Sequence, residues 1–217
     1  MRRKGSLLKE FPILVVVALI VSLLIKTFLV QFFYIPSGSM ENTLQIKDRV
    51  AVNKIPLISR SIHRGDIVVF RDPANWLSEP FTTESPFIVE KIREGLVAVG
   101  ILPNPAKQYL VKRVVGIGGD RVICCSKSKK LTINGKESIE PYIFEGNDPS
   151  DMNFDVTVPT GKIWVMGDHR GASADSRYHQ DDINKGMVPL NRLTGRVVAV
   201  IWPFKNLKII SGFNSLK

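Results

Sequence analysis

Residues 109–120 read YLVKRVVGIGGD. Alternation along this run puts Leu110, Lys112 and Val114 on one face of a strand, and Val111, Arg113 and Val115 on the other. The stretch from Gly116 to Asp120 then closes the strand in a tight turn. That turn lacks the full G-x-G-x-x-G and leads into another strand rather than a helix, so it is not a dinucleotide loop. A lysine between two aliphatic neighbours on a core face loses its water, and desolvation lowers a lysine pKa. The alternative for Lys112 is a strand edge, with its ammonium in water.

The same grammar recurs on both sides of this run. Short β-branched segments bounded by turn residues stand at Asp48–Val52, Asp66–Phe70, Gln108–Val115, Arg121–Cys124, Leu131–Ile133, Lys162–Met166 and Gly195–Ile201. Asn134-Gly135 is a hairpin signal. The pattern predicts a mainly β fold. Residues 124–153 are more polar and read as a small β-hairpin cap inserted into the main sheet. One helix interrupts the strands. Ser85 offers an N-cap, Pro86 a first helical position, and Ile88, Ile92, Leu96 and Val99 recur at helical spacing. This helix over 86–99 packs on the sheet or rests on a membrane surface.

Composition narrows the classes. The 217 residues are 44% hydrophobic and carry 30 Lys+Arg against 20 Asp+Glu, a net charge of +10, so a folded core is expected and a disordered polar chain is excluded. The two cysteines are adjacent at Cys124-Cys125, which rules out a disulfide-stapled scaffold; two small buried residues are expected there. No C-x-x-C, H-E-x-x-H or P-loop is present, and no metal or cofactor is expected. The basic balance admits nucleic acid or an anionic membrane as partner.

The N-terminus decides for the membrane. Phe11–Ile25 holds no charge, and the apolar run resumes after Lys26. A spanning helix needs about 20 apolar residues, which residues 11–33 supply if Lys26 snorkels to an interface. The basic first ten residues favour a cytoplasmic N-terminus. The predicted organisation is a cytoplasmic segment 1–10, a transmembrane helix 11–33 and an extracytoplasmic domain 34–217. A cleaved signal peptide is the rival reading. No aromatic-interleaved basic motif or recognition helix supports nucleic-acid binding.

Two further stretches carry candidate chemistry. In Ile35-Pro36-Ser37-Gly38-Ser39-Met40, Pro36 and Gly38 impose an irregular backbone in which Ser39 can be held exposed as a nucleophile. His63, His169 and His179 stand in no recognisable triad setting, which leaves a desolvated Lys112 as the candidate base. The stretch from Gly167 to Arg177, GDHRGASADSR, follows an apolar strand directly. Asp168, Arg170, Asp175 and Arg177 there can pair internally and hold a loop in shape. Taken singly, each stretch also reads as an ordinary loop or strand.

Together, IPSGSMENTL at 35–44, GDIVVFRDP at 65–73, YLVKRVVGIGGD at 109–120 and GDHRGASADSRYH at 167–179 resemble bacterial type I signal peptidases, the membrane-bound Ser-Lys endopeptidases. The adjacent cysteines and the GDHR spelling look closest to actinobacterial members. The resemblance implies a signal-peptidase-like β core and removal of signal peptides after a small-x-small motif. It implies Ser39 as nucleophile, Lys112 as general base, Ser37 as an oxyanion donor and Ser173 as a hydrogen-bond partner that orients Lys112. Arg113, Asp168, Asp175 and Arg177 would be structural ion-pair partners. Ile35, Met40, Leu44, Leu110 and Val111 would line the pocket for the small residue before the cleaved bond. Expected partners are preproteins carrying signal peptides, membrane phospholipid and nearby export machinery. The chain departs from the family's usual spelling at Asn42, where proline is common, and at His169, Gly171 and Ala172. Two rivals remain: an anchored β-domain binding protein without chemistry, and a self-cleaving repressor-type Ser-Lys peptidase, which has no use for an anchor.

Overall fold

The computed structural model describes residues 7–54, 61–77, 91, 95 and 108–212. Helix α1 (Leu7–Phe28) opens the chain. The side chains described within it cover only residues 10–21, all exposed, and among the described residues no helix is long and apolar enough to cross a membrane. The predicted helix over 11–33 runs on too far. Val30–Tyr34 (VQFFY) is strand β1, because its aromatic and β-branched residues pair with the next strand instead of prolonging the helix. The predicted helix over 86–99 lies outside the described residues apart from Lys91 and Gly95.

The strands follow the period-2 reading closely. After β1 come β2 (Arg49–Asn53), β3 (Ile67–Arg71), β4 (Tyr109–Ile117), β5 (Arg121–Cys124), β6 (Thr132–Ile133), β7 (Lys136–Glu137), β8 (Phe154–Thr157), β9 (Lys162–Met166), β10 (Val188–Pro189), β11 (Leu193–Trp202) and β12 (Lys208–Ile209). They build two sheets. The larger has the order β1-β2-β11-β3-β4-β9-β10, with β12 paired to β11, and the smaller the order β7-β6-β5-β8. Every pairing is antiparallel. Asn134 and Gly135, both at positive φ, close the β6–β7 hairpin as their sequence requires.

The cap is therefore a sheet of its own, and its paired strands β5 and β8 reach slightly beyond residues 124–153 on both sides. At its edge, Cys124 and Cys125 are joined by a vicinal disulfide, where two unbonded buried residues were expected. β5 ends at Cys124.

Three apolar clusters hold these layers. One joins Phe33, Ile35, Met40 and Leu44 to Val50, Val52, Ile67, Val69 and Val197. A second, on Val68, Phe70, Leu110, Val114 and Val165, contains Trp76. The third joins the sheets, with Val122, Leu131 and Ile133 against Trp164 and Met166. Each buried aliphatic side chain contributes about 1.5–3 kcal/mol. The first cluster thus fastens the turn that follows β1 onto the large sheet.

Candidate active site

The site begins where β1 leaves the sheet. Ser37 is extended, Gly38–Met40 form one 3-10 turn, and Ser39 and Met40 are buried. Met40 and Leu44 anchor the turn in the core just beyond Ser39. From the sheet, β4 brings Lys112, whose register partner is Val68 on β3. On the other side β9 ends at Met166, opposite Arg113, so the chain from Gly167 onward starts beside Lys112.

Lys112 Nζ lies 2.6 Å from Ser39 Oγ. Lys112 is 4% exposed and Ser39 8%. Burial pulls the lysine from its ordinary 10.5 down to about 8; Asp175 and Asp168 oppose the fall and Arg177 deepens it. The ammonium has no carboxylate within salt-bridge distance among the described residues, and a hydroxyl is its hydrogen-bond partner. Ser37 Oγ sits 3.5 Å from Ser39 Oγ.

Arg113 faces away from the dyad and is fully engaged. Its Nε and Nη2 reach the two oxygens of Asp168 at 2.7 and 2.6 Å, Nη1 donates to the Gly65 carbonyl at 2.8 Å, and Nη2 also donates to Thr43 Oγ1 at 3.0 Å. Its guanidinium lies 4.0 Å from the centre of the Tyr142 ring. Arg177 pairs with Asp175 through Nε at 2.9 Å and Nη2 at 3.0 Å, and Asp175 also accepts the Gly167 N–H at 2.9 Å.

Gly167 is the tightest point of the site. A Cβ there would lie 2.3 Å from Ser173 Oγ and 2.4 Å from the Ser39 carbonyl oxygen, so no other residue fits without moving the Ser39 turn. Ser173 Oγ is buried without a hydrogen-bond partner, so the predicted Ser173–Lys112 bond is not formed. Lys112 turns its nitrogen to Ser39, while Ser173 stands against Gly167.

The structure gathers Ile35, Met40 and Leu44 in one cluster with half-buried Val111 packed against it. Leu110 is not among them; it packs with Val68, Phe70 and Trp76. Neighbours on a strand face opposite ways, so Leu110 and Val111 pack in different clusters. Among the described residues no group of three His, Cys, Asp or Glu side chains is placed to hold a metal ion.

Sequence reasoning missed several contributors. Thr43 hydrogen-bonds Asp168, Glu140 pairs with buried Arg170 at 2.6 Å, and Asn42 Nδ2 donates to the carbonyls of Tyr142 and Ile143 at 3.1 and 3.2 Å. His169, which stands in no recognisable triad setting, donates its backbone N–H to the Ser39 carbonyl at 3.2 Å. The one available signal was Asn42 directly after the serine turn, because asparagine tolerates a positive φ and its φ is 82°.

Comparison with known proteins gives the arrangement its family. The profile of the family described as signal peptidase, peptidase S26, matches residues 8–202. A probable signal peptidase I of Mycobacterium leprae is 38% identical over 93% of this chain and 78% of its own length. The signal peptidase I of Mycobacterium tuberculosis H37Rv is 35% identical over 97% of this chain and 78% of its own length. A solved signal peptidase I from Enterococcus faecalis V583 overlaps at 22% identity over 63% of this chain and 96% of that one, with a TM-score of 0.38. The chain belongs to the S26 family of signal peptidases and is a signal peptidase I enzyme.

Proposed function

We propose that this serine peptidase removes signal peptides with Ser39 as nucleophile and Lys112 as general base. The observation that carries the reading is the 2.6 Å contact between a buried serine hydroxyl and a buried lysine amine whose pKa is brought down to about 8. A neutral amine offers its lone pair to the hydroxyl proton. Ser39 Oγ attacks the scissile carbonyl as its proton passes to Lys112 Nζ. The resulting ammonium protonates the leaving amine, the peptide departs, and an acyl-Ser39 ester remains. Water then attacks the ester with Lys112 again as base, which frees the signal peptide's carboxylate and restores the hydroxyl. The Ser39 backbone N–H and the Ser37 hydroxyl are the oxyanion donors in this reading.

Ile35, Met40, Leu44 and Val111 form the floor on which the residue before the cleaved bond rests. In this reading a shallow apolar pocket over that floor admits only an alanine-sized side chain, which would account for a small-x-small preference. For the membrane, the supporting observations are the apolar run of α1 and an exposed rim at one end of the large sheet. Tyr34, Arg49 and Trp202 stand in one register row there, followed by Phe204, Leu207 and Ile209 with Lys205 and Lys208. Apolar and aromatic tips among lysines suit an anionic bilayer interface. In this reading α1 anchors the chain with its N-terminus in the cytoplasm, and the catalytic domain meets exported preproteins on the far side.

The test is cleavage of a preprotein whose signal ends in Ala-x-Ala by the detergent-solubilised chain, with the new N-terminus read by mass. Cleavage after the last alanine, lost in both Ser39→Ala and Lys112→Ala, is expected. Parental activity in either variant removes that residue from the mechanism.

A further inference from the structure

The small sheet sends one segment back across the site, residues 140–147. Its contacts with the catalytic loops form a closed ring. The Ser39 carbonyl accepts the His169 N–H at 3.2 Å, and the neighbouring Asp168 carbonyl accepts the Phe144 N–H at 2.9 Å. The Tyr142 and Ile143 carbonyls accept both protons of the Asn42 amide at 3.1 and 3.2 Å. Asn42 is three residues beyond Ser39, so the ring returns to the nucleophile turn. Phe144 also stacks on the His169 ring, 4.1 Å between centres and 14° between planes, and His169 Nδ1 lies 3.2 Å from Glu41 on the same turn.

We infer that this segment is a positioning strap for the nucleophile, and that Asn42 is the positioning residue that closes it. The two halves of the dyad are held differently. Lys112 belongs to a central strand with ladder partners on both sides of it along the sheet. Ser39 belongs to a single 3-10 turn, and a turn moves more easily than a sheet. Its distance to Lys112 therefore depends on what grips the turn. Core packing of Met40 and Leu44 grips it from below, and the strap grips it from the cap side. Asn42 suits the task twice: its backbone takes φ 82°, which proline cannot, and its amide supplies two donors to carbonyls about a hundred residues away. The cap thereby acts on the chemistry without touching the reacting atoms. Displacing a nucleophile by a fraction of an ångström is enough to cost about tenfold or more in rate.

This inference rests on the Ser39–Lys112 reading. The experiment is steady-state kinetics of the full-length, detergent-solubilised chain on an Ala-x-Ala preprotein from about pH 6 to pH 10. Asn42→Gly keeps the left-handed backbone and deletes both donors. Phe144→Leu keeps an apolar residue and deletes the stack. The expected result, in each folded variant, is kcat lowered about tenfold at a KM within about twofold of the parent, with the acid limb of the profile displaced because Lys112 no longer meets Ser39 at the same distance. Parental kcat and acid limb, a rise in KM alone, or a loss that disappears once corrected for the folded fraction overturns the strap. If Asn42→Gly does not fold, Phe144→Leu decides by the same criteria. Ser39→Ala and Lys112→Ala run alongside: activity surviving there refutes the dyad, whereas activity lost there and intact in the strap variants refutes the strap alone.

Discussion

Lys112 and Arg113 are consecutive residues on β4, both buried, and their surroundings are opposite. Arg113 has both oxygens of Asp168, a carbonyl, a hydroxyl and an aromatic ring. Lys112 has the Ser39 hydroxyl. A cation with its donors filled holds structure. A cation denied a carboxylate partner gives up its proton, and a neutral buried amine is a base. One strand delivers both because alternation sends neighbouring side chains to opposite faces.

The sharpest way to break this contrast is Lys112→Met. It keeps length and apolar bulk and removes the proposed base, so the cleavage rate is expected to fall by about 10³ or more. Stability should move the other way. The folded lysine titrates at about 8 and the unfolded one near 10.5, so between those values the unfolded chain binds more protons and stability rises with pH. Below about 8 the folded protein carries the full cost of a buried ammonium. The Met variant should therefore be more stable at neutral pH by roughly 1–4 kcal/mol, with the advantage fading as pH rises toward 10.5. Denaturant titrations at neutral and alkaline pH measure it, and a variant less stable at both values refutes the account. The same lowered pKa predicts a parental cleavage rate that climbs through pH about 8.

Arg113→Leu tests the other face. It leaves the Asp168 carboxylate buried without its counter-ion, so a loss of about 3–5 kcal/mol is expected, seen as a lower denaturant midpoint. Activity per folded molecule should fall far less than in Lys112→Met; an equal fall would place Arg113 in the chemistry. The smallest effect belongs to an ion pair that looks as good on paper. Arg121 and Asp155 meet at 2.6 Å across β5 and β8, but both are well exposed. Water already solvates both charges, so Arg121→Ala should leave the melting curve unchanged within error.

Much of this contrast is legible in the linear chain. The period-2 run at 109–115 locates β4 and predicts which neighbours diverge, and the Pro-Ser-Gly-Ser run before Met40 marks an irregular turn. Strand β1 escapes because VQFFY continues an apolar run, and a helix and a buried strand of that composition look alike until a pairing partner is known. The strap escapes for a different reason. Its amide contacts span 100 and 101 residues, and no local pattern registers a bond between a side chain and a distant carbonyl. Leu110 and Val111, grouped by the resemblance, pack in different clusters because neighbours on a strand face opposite ways.

The sequence by itself determined the strand periodicity, the apolar N-terminal run, the turn chemistry around Ser39 and the presence of a lysine among aliphatic residues. Those features follow from residue shape and hydrophobicity, which act over a few positions. The tertiary structure decided that Ser39 and Lys112, 73 residues apart, meet at 2.6 Å. It also decided that Arg113 is filled while Lys112 is left with a hydroxyl. A pKa near 8 is a property of surroundings, set by how much water and how many charges the folded chain leaves near one nitrogen, and that is fixed only when the sheet, the turn and the loop after β9 close together.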